Sequence, residues 1–438
     1  MNTIDKYTDS AVMAAFLTRD FSGVGYEYVD DVLTSMKDYA FAGITDLETL
    51  SLPNITMIPN CAFLGTRVST SVTLPWDKIT QIGAYAFYES NVIKGGVLNM
   101  PLLTTICTCA FAGQTALTSL NAPLWENIYL GSAPFSESRG MFEGSGIQSI
   151  SAPKINSSTF STRAFKDCTA LTSVYLPLQE YDGERMFDGC SSLVNLSLPK
   201  LTGVTHQNMF SGCTALESVS LPAATAVSAM YAFSGCTALK SISLPEVTGA
   251  LGTGTFSGCS AMESANLPKV TGIPASCFSG CTSLTSAGLS IPMAATLGST
   301  AFYECSGLTT FSSSTITSTG TNCFGYCSNL EEVTLSALAT IGTSTFAYCS
   351  GLKKVTLGGE ITAFGNYIFR SCSNLETLIL SGVTAVPTIS SNTFTGATKI
   401  LNGTGTIYVP DALVASFEAD ATWGTYTIKG TSEYVEEE

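Results

Sequence analysis

The chain has 438 residues, one histidine, 19 basic and 34 acidic side chains, and a net charge of −15. Only 12% of residues are charged while 45% are hydrophobic. Such acidity excludes nucleic acid as a partner, because phosphate contacts need clustered Lys and Arg, and it disfavours anionic membrane surfaces; the apolar content excludes intrinsic disorder.

The first element in the chain is an apolar run, Ala11–Leu17, with Ser10 placed to N-cap a short helix. It falls well short of the ~20 residues a membrane span needs. Asp5, Asp9, Arg19 and Asp20 flank it and no basic n-region precedes it, so it reads as a poor signal peptide. Residues 1–31 are therefore expected to form an N-terminal cap, with no membrane insertion.

From residue 32 to about 400 one unit recurs: Phe-Ser-Gly-Cys-Thr-Ala-Leu-x-Ser-Val-Ser-Leu-Pro, then a variable stretch, then Phe again. Sixteen anchor phenylalanines run from Phe41 to Phe394, a mean step of about 23.5 residues, within the range of leucine-rich repeats. In the unit from Phe210, Val219 and Leu221 alternate with Ser218 and Ser220. Period two predicts a strand with one apolar and one polar face. Pro222 ends it, because proline cannot donate to a ladder. A second apolar pair, Val227 and Met230, leads back to Phe233. One unit cannot bury its apolar face alone, so about 16 repeats of 22–25 residues should stack parallel strands into a solenoid with a continuous core. At ~4.8 Å per strand the stack would be a rod or arc roughly 70 Å long.

Phe-x-Gly-Cys followed by Leu-x-x-Val-x-Leu-Pro resembles the BspA-like leucine-rich repeats of bacterial surface proteins. The resemblance covers about residues 32–400. It implies a non-enzymatic adhesin or host-protein binder, generally exported. Two features depart from that pattern: no export signal is visible, and no cell-wall anchor motif follows the array. The strand-ending proline is also replaced in late units, by Ser336 and Gly358.

Ten of the 15 cysteines sit three residues after an anchor Phe, from Cys168 to Cys372. One register implies one stacked column, read as free thiols acting as small buried hydrophobes. The alternative of disulfides between adjacent units meets strained Cβ directions, and the odd total leaves one thiol over. Many free thiols suit a reducing or anaerobic setting. The pairs Cys277/Cys281 and Cys323/Cys327 carry a zinc-like spacing, but a whole repeat lies between them, so no metal is expected. Cys107 and Cys109 read as small fillers near Phe111. The lone His206 lies in a variable stretch and reads as a surface loop residue rather than a catalytic base. Gly252-Thr-Gly254-Thr-Phe-Ser-Gly258 imitates a phosphate loop, yet overlaps anchor Phe256 and lacks the helix such loops need. No cofactor is expected.

Binding has two candidate places. The outward strand positions, among them Ser173, Tyr175, Asn195, Ser197, Ser241, Ser243, Ser264, Asn266, Thr334 and Thr356, form a broad polar face. That face is either merely soluble or a surface for a protein or glycan. The step from Phe111 to Phe142 is 31 residues, roughly eight too many. Its excess contains Trp125, Tyr129, Phe135 and Arg139, the side-chain types that anchor interfaces, although a loop packing its own aromatics would look the same.

After the array, residues 401–438 read as a C-terminal cap and acidic tail: a strand at Ile407–Pro410, a helix capped by Asp411 and running to Ala419, bulk from Trp423, a strand at Tyr426–Ile428, and solvated Glu436–Glu438. The expected function is a non-enzymatic cell-surface or secreted adhesin for a protein or glycan. A phage or prophage tail-associated receptor-binding protein, located on a virion, is the alternative. An enzyme with a site on the solenoid face is the third class.

Overall fold

The computed structural model describes residues 26–129, 139–155 and 162–436. The helix expected after Ser10 lies outside them. The chain divides into two compact units, Met1–Leu216 and Glu217–Glu438.

In the first unit the Leu-x-x-Val-x-Leu segments form two parallel sheets. One joins Tyr26–Val29, Leu47–Ser51 and Val68–Thr73. The other runs from Gly96–Asn99 through Leu117–Asn121, Ser149–Ser151 and Ser173–Tyr175 to Asn195–Ser197. A second ladder of two- and three-residue strands, Met57–Ile58, Gln81–Ile82, Thr105–Cys107 and Asn127–Tyr129, precedes the next anchor corner in each turn. The second unit repeats the plan. Ser241–Ser243, Ser264–Asn266 and Leu289–Ser290 form one parallel sheet; six strands from Thr310–Ser313 to Ile428–Gly430 form the next. The short-strand ladder there runs from Gly249–Ala250 to Ser318–Thr319. Each unit is thus a parallel β-solenoid.

Two expectations about the unit from Phe210 need correction. Its Val-x-Leu segment is not a full strand in the second unit: Ser218 makes an isolated bridge to Ser241, and Val219 is only half-buried. Met230 is 47% exposed, while Val227 and Ala229 are buried. The short second strand keeps period two, so residue 230 falls on the outer phase.

All sixteen anchor phenylalanines are buried, none more than 3% exposed. Within each unit their rings stack turn upon turn, as in Phe165–Phe187 (5.4 Å, 4° between planes) and Phe278–Phe302 (5.3 Å, 9°). The corner explains the motif. Two residues after the anchor the backbone takes a left-handed turn, with φ of +70° at Gly212 and +75° at Gly258 and Gly280. Glycine adopts that conformation without the 1–2 kcal/mol that a Cβ costs. Six non-glycine residues hold the same position, among them Glu304, Tyr326 and Tyr348.

The cysteine column does more than fill space. The Cys281 thiol donates to the carbonyl of Phe256, the anchor one turn earlier (3.2 Å), and Cys327 serves Phe302 in the same way (3.0 Å). In the first unit Cys190 serves Phe165. Upstream, where cysteine is absent from this register, Thr66 Oγ1 donates to the Phe41 carbonyl (2.6 Å) and Gln114 Nε2 to that of Phe87. At these positions the buried side chain donates as well as fills, although Ile44 and Ala397 hold the same register without a donor and the buried Ser90 hydroxyl finds no partner among the described residues.

The ladder extends past both expected array boundaries. Tyr26–Val29 pairs with Leu47–Ser51 ahead of residue 32, and Thr406–Val409 and Ile428–Gly430 continue the six-stranded sheet beyond residue 400. The last strand sits at Ile428–Gly430 rather than Tyr426–Ile428. Val414–Ala419 is helical, but Asp411 does not cap it. Its carboxylate instead accepts the Ser432 amide and hydroxyl. Trp423 is buried, edge-on to Phe364 and Phe394, and its Nε1 donates to the Pro387 carbonyl (2.7 Å). Glu436 is not simply solvated: it pairs with Lys354 (2.6 Å), whose ammonium lies over the Tyr434 ring.

Candidate binding face and cleft

Alternation along each strand puts small polar side chains outward, and parallel register lines them up across turns. Ser173 pairs with Asn195 and Tyr175 with Ser197 in the first unit. In the second, Ser241 pairs with Ser264, Ser243 with Asn266, and Thr334 with Thr356. None of these residues is buried. Asn266 Nδ2 donates to Ser243 Oγ across one rung (3.3 Å). The result is a ribbon of hydroxyls and amides, joined on the same outward phase of the six-stranded sheet by the Glu332 and Lys354 pair.

That ribbon is interrupted in the second unit. Leu289–Ser290 ends one sheet and Thr310–Ser313 begins the next, and the two strands do not pair. A cleft of about 540 Å³ opens at the break, within the size range of small-molecule sites. Its apolar lining is Leu289, Ile291, Pro292 and Phe311; the rest is serine and threonine. Two sequence changes produce it. Leu284 and Pro292 stand eight residues apart, whereas Leu216 and Pro222 stand six apart, so two extra residues push the strand out of step. One turn later Ser313 occupies the place that buried Leu335 and Leu357 hold in following turns. The missing leucine leaves a hole in the column. Ser286 Oγ spans the gap, accepting the amides of Thr309 and Thr310 (3.1 and 2.9 Å). Phe311 is held beneath by Phe302 and Phe324 (5.5 and 4.8 Å between centroids).

Of the four residues singled out in the long step, the structure describes the side chains of Trp125 and Arg139. Trp125 is 1% exposed, edge-on to Phe142 (6.2 Å), with Nε1 donating to the Asn127 carbonyl (3.1 Å). It is a core residue, which corrects its reading as a surface anchor. Tyr129 ends the strand Asn127–Tyr129. Phe135 lies outside the described residues. Arg139 is half-buried, its guanidinium 5.3 Å from the centre of the Tyr88 ring.

A second exposed feature escaped the sequence reading. Tyr326 and Tyr348, both at left-handed corners, stack at 4.4 Å, with Tyr303 against Tyr326 and Arg370 over Tyr348 and Tyr367. Tyr326 and Tyr348 lie face to face at 17°, whereas Tyr303 meets Tyr326 at 62° in an edge contact.

Reactive chemistry is sparse. All fifteen thiols are free and buried. Burial pushes Cys259 up to about 12 and Cys168 to about 11, so neither offers a thiolate at neutral pH. Among the described residues no cluster of three or more His, Cys, Asp or Glu is placed to hold a metal ion. His206 is exposed, its Nδ1 3.1 Å from Asp182 Oδ1, and its own amide donates to Asp182 Oδ2. Gly254 and Gly258 of the phosphate-loop-like segment occupy the two left-handed corners around Phe256. No described helix is long and apolar enough to cross a membrane.

The family model described as "BspA type Leucine rich repeat region (6 copies)" matches residues 28–140, 138–228, 206–331 and 295–409. No curated protein matches the chain. Among solved structures, a leucine-rich repeat protein from Bacteroides ovatus ATCC 8483 is 22% identical, with a TM-score of 0.58 over 92% of this chain and 97% of that one. A leucine rich cell surface protein from Faecalibacterium prausnitzii A2-165 is 20% identical, with a TM-score of 0.40 over 74% and 86%.

Proposed function

Because the chain belongs to the BspA-type leucine-rich repeat family, we propose that it is a non-enzymatic binding protein of the bacterial surface that recognises a protein or glycan through its strand face. The observation that carries this reading is the in-register ribbon of hydroxyls and amides on the long strands. On a chain of net charge −15, a face dominated by neutral hydroxyls and amides, with few carboxylates such as Glu332, offers many weak hydrogen bonds. Solenoids use such extended surfaces for recognition. The scarcity of activated groups supports the non-enzymatic part, since acyl or phosphoryl transfer needs a positioned base or anion cradle.

The test uses purified full-length chain against a panel of extracellular-matrix proteins and glycans, with intact-cell protease shaving for location. Ser241→Glu/Ser264→Glu on the strand face should weaken binding at least tenfold, while Thr248→Glu, exposed outside that face, leaves it unchanged. Equal losses from both variants, or no ligand in the panel, would reject the face as the recognition surface.

A further inference from the structure

We infer that the cleft between Leu289–Ser290 and Thr310–Ser313 is a binding site for a neutral sugar, at the end or within a short oligosaccharide. The inference deepens the binding role proposed above and rests on it. Four observations converge on this ligand.

First, none of the twelve lining residues is Asp, Glu, Lys, Arg or His. A charged ligand would lose hydration there without gaining a counter-charge. Second, the lining joins a rigid apolar floor to a rim of hydroxyls. A pyranose presents C–H groups on one face and hydroxyls around its edge, which is the complementary arrangement. Third, the hydroxyls divide into two sets. Ser286, Ser313 and Thr315 are committed to the protein's own backbone, which fixes the walls. Ser290, Thr310, Ser312, Ser314 and Ser336 make no side-chain hydrogen bond within the described protein and remain for a ligand. Fourth, an inserted peptide strand would need the Thr310 edge, and Ser286 Oγ already takes the amides of Thr309 and Thr310. A globular protein would need roughly 800 Å² on each side, far more than this notch supplies by itself.

The cleft can be closed without breaking the fold. Ser313→Leu restores the leucine found at 335 and 357. Ser312→Tyr places a ring at the outward position that Tyr175 occupies in its own turn, and replaces an exposed side chain. The experiment is a glycan array of neutral and of sialylated or sulfated oligosaccharides, with calorimetric titration of the hits. Melting curves check that both variants fold.

The expected result is binding of neutral oligosaccharides, weaker binding of their acidic counterparts, and at least a tenfold loss in both folded variants. No neutral ligand for the wild-type chain, acidic glycans binding as well as neutral ones, or a smaller loss in either variant overturns the assignment. A chain that fails on the array yet still binds an extracellular protein through Ser241 and Ser264 rejects the cleft and leaves the wider binding role standing.

Discussion

Replacing Cys281 by threonine and by valine separates two accounts of the cysteine column. The side chains are nearly isosteric, so they fill the site alike, but only threonine can donate to the Phe256 carbonyl that the thiol now reaches at 3.2 Å. That carbonyl also accepts the Cys259 amide (3.1 Å), so valine weakens its satisfaction without orphaning it. If the column selects for packing alone, valine should win by the ~1–3 kcal/mol that burying a poorly used hydroxyl costs. If it selects for a donor, threonine should win by about 0.5–1.5 kcal/mol. Thr66, which bonds the Phe41 carbonyl at 2.6 Å, shows that the geometry accepts a hydroxyl, and threonine is the expected winner. Cys281→Ala should cost about 1–2 kcal/mol, from lost contact and a small cavity. Because a solenoid unfolds turn by turn, a global melting temperature blurs the effect. Native-state hydrogen exchange at the Phe256 amide, which donates to the Cys277 carbonyl, reads the local free energy. A valine variant more stable than the threonine variant would refute the donor account.

Alkaline stability should fall through the thiols. Burial raises Cys259 from 9.0 to about 12; the unfolded chain therefore loses its thiol protons first, and the contribution present below pH 9 is lost as pH rises toward 12. Urea midpoints that stay flat from pH 8.5 to 10.5 would contradict this. Trp125→Ala should destabilise its turn by ~3–5 kcal/mol as a core aromatic deletion, read by exchange at the Trp125 amide; a loss under 1 kcal/mol would return Trp125 to the surface. Glu304→Gly, which relieves a φ of +61° on an exposed corner, should stabilise by about 0.5–1 kcal/mol after glycine's entropy is counted, and a destabilised variant in local exchange would show that this corner carries no strain.

The repeat made the fold readable because three constraints recur at fixed offsets: a core-filling Phe, a left-handed corner favouring Gly, and a buried position one turn above a carbonyl. What stayed hidden was equivalence between unlike residues. Thr66 and Gln114 share the cysteine register, but nothing in their side-chain types announces it. Trp125 was misread for a related reason. It stands eight residues after Leu117, as Ile55 does after Leu47 and Leu201 after Leu193, and all three second members are buried. Counting from the leucine places it in the core before the long step diverges, whereas its aromatic character pointed outward. The cleft had a signal as well, in the stretched Leu284–Pro292 spacing and in Ser313 where leucine recurs. That signal lies in what is missing, and a search for chemically active residues passes over it.

The repeated corner also bears on how such a gene can change. Phe256-Ser-Gly-Cys and Phe278-Ser-Gly-Cys are the same tetrapeptide, with Gly258 and Gly280 in the same conformation. Unequal crossing-over between the two coding segments would delete or duplicate residues 257–278 and leave every junction in register, with Phe256 followed by Ser279, Gly280 and Cys281. Array length can thus drift by whole turns without a frameshift in the structure. The Leu284–Pro292 stretch and Ser313 lie outside that exchange, so copies of different length would inherit the same cleft.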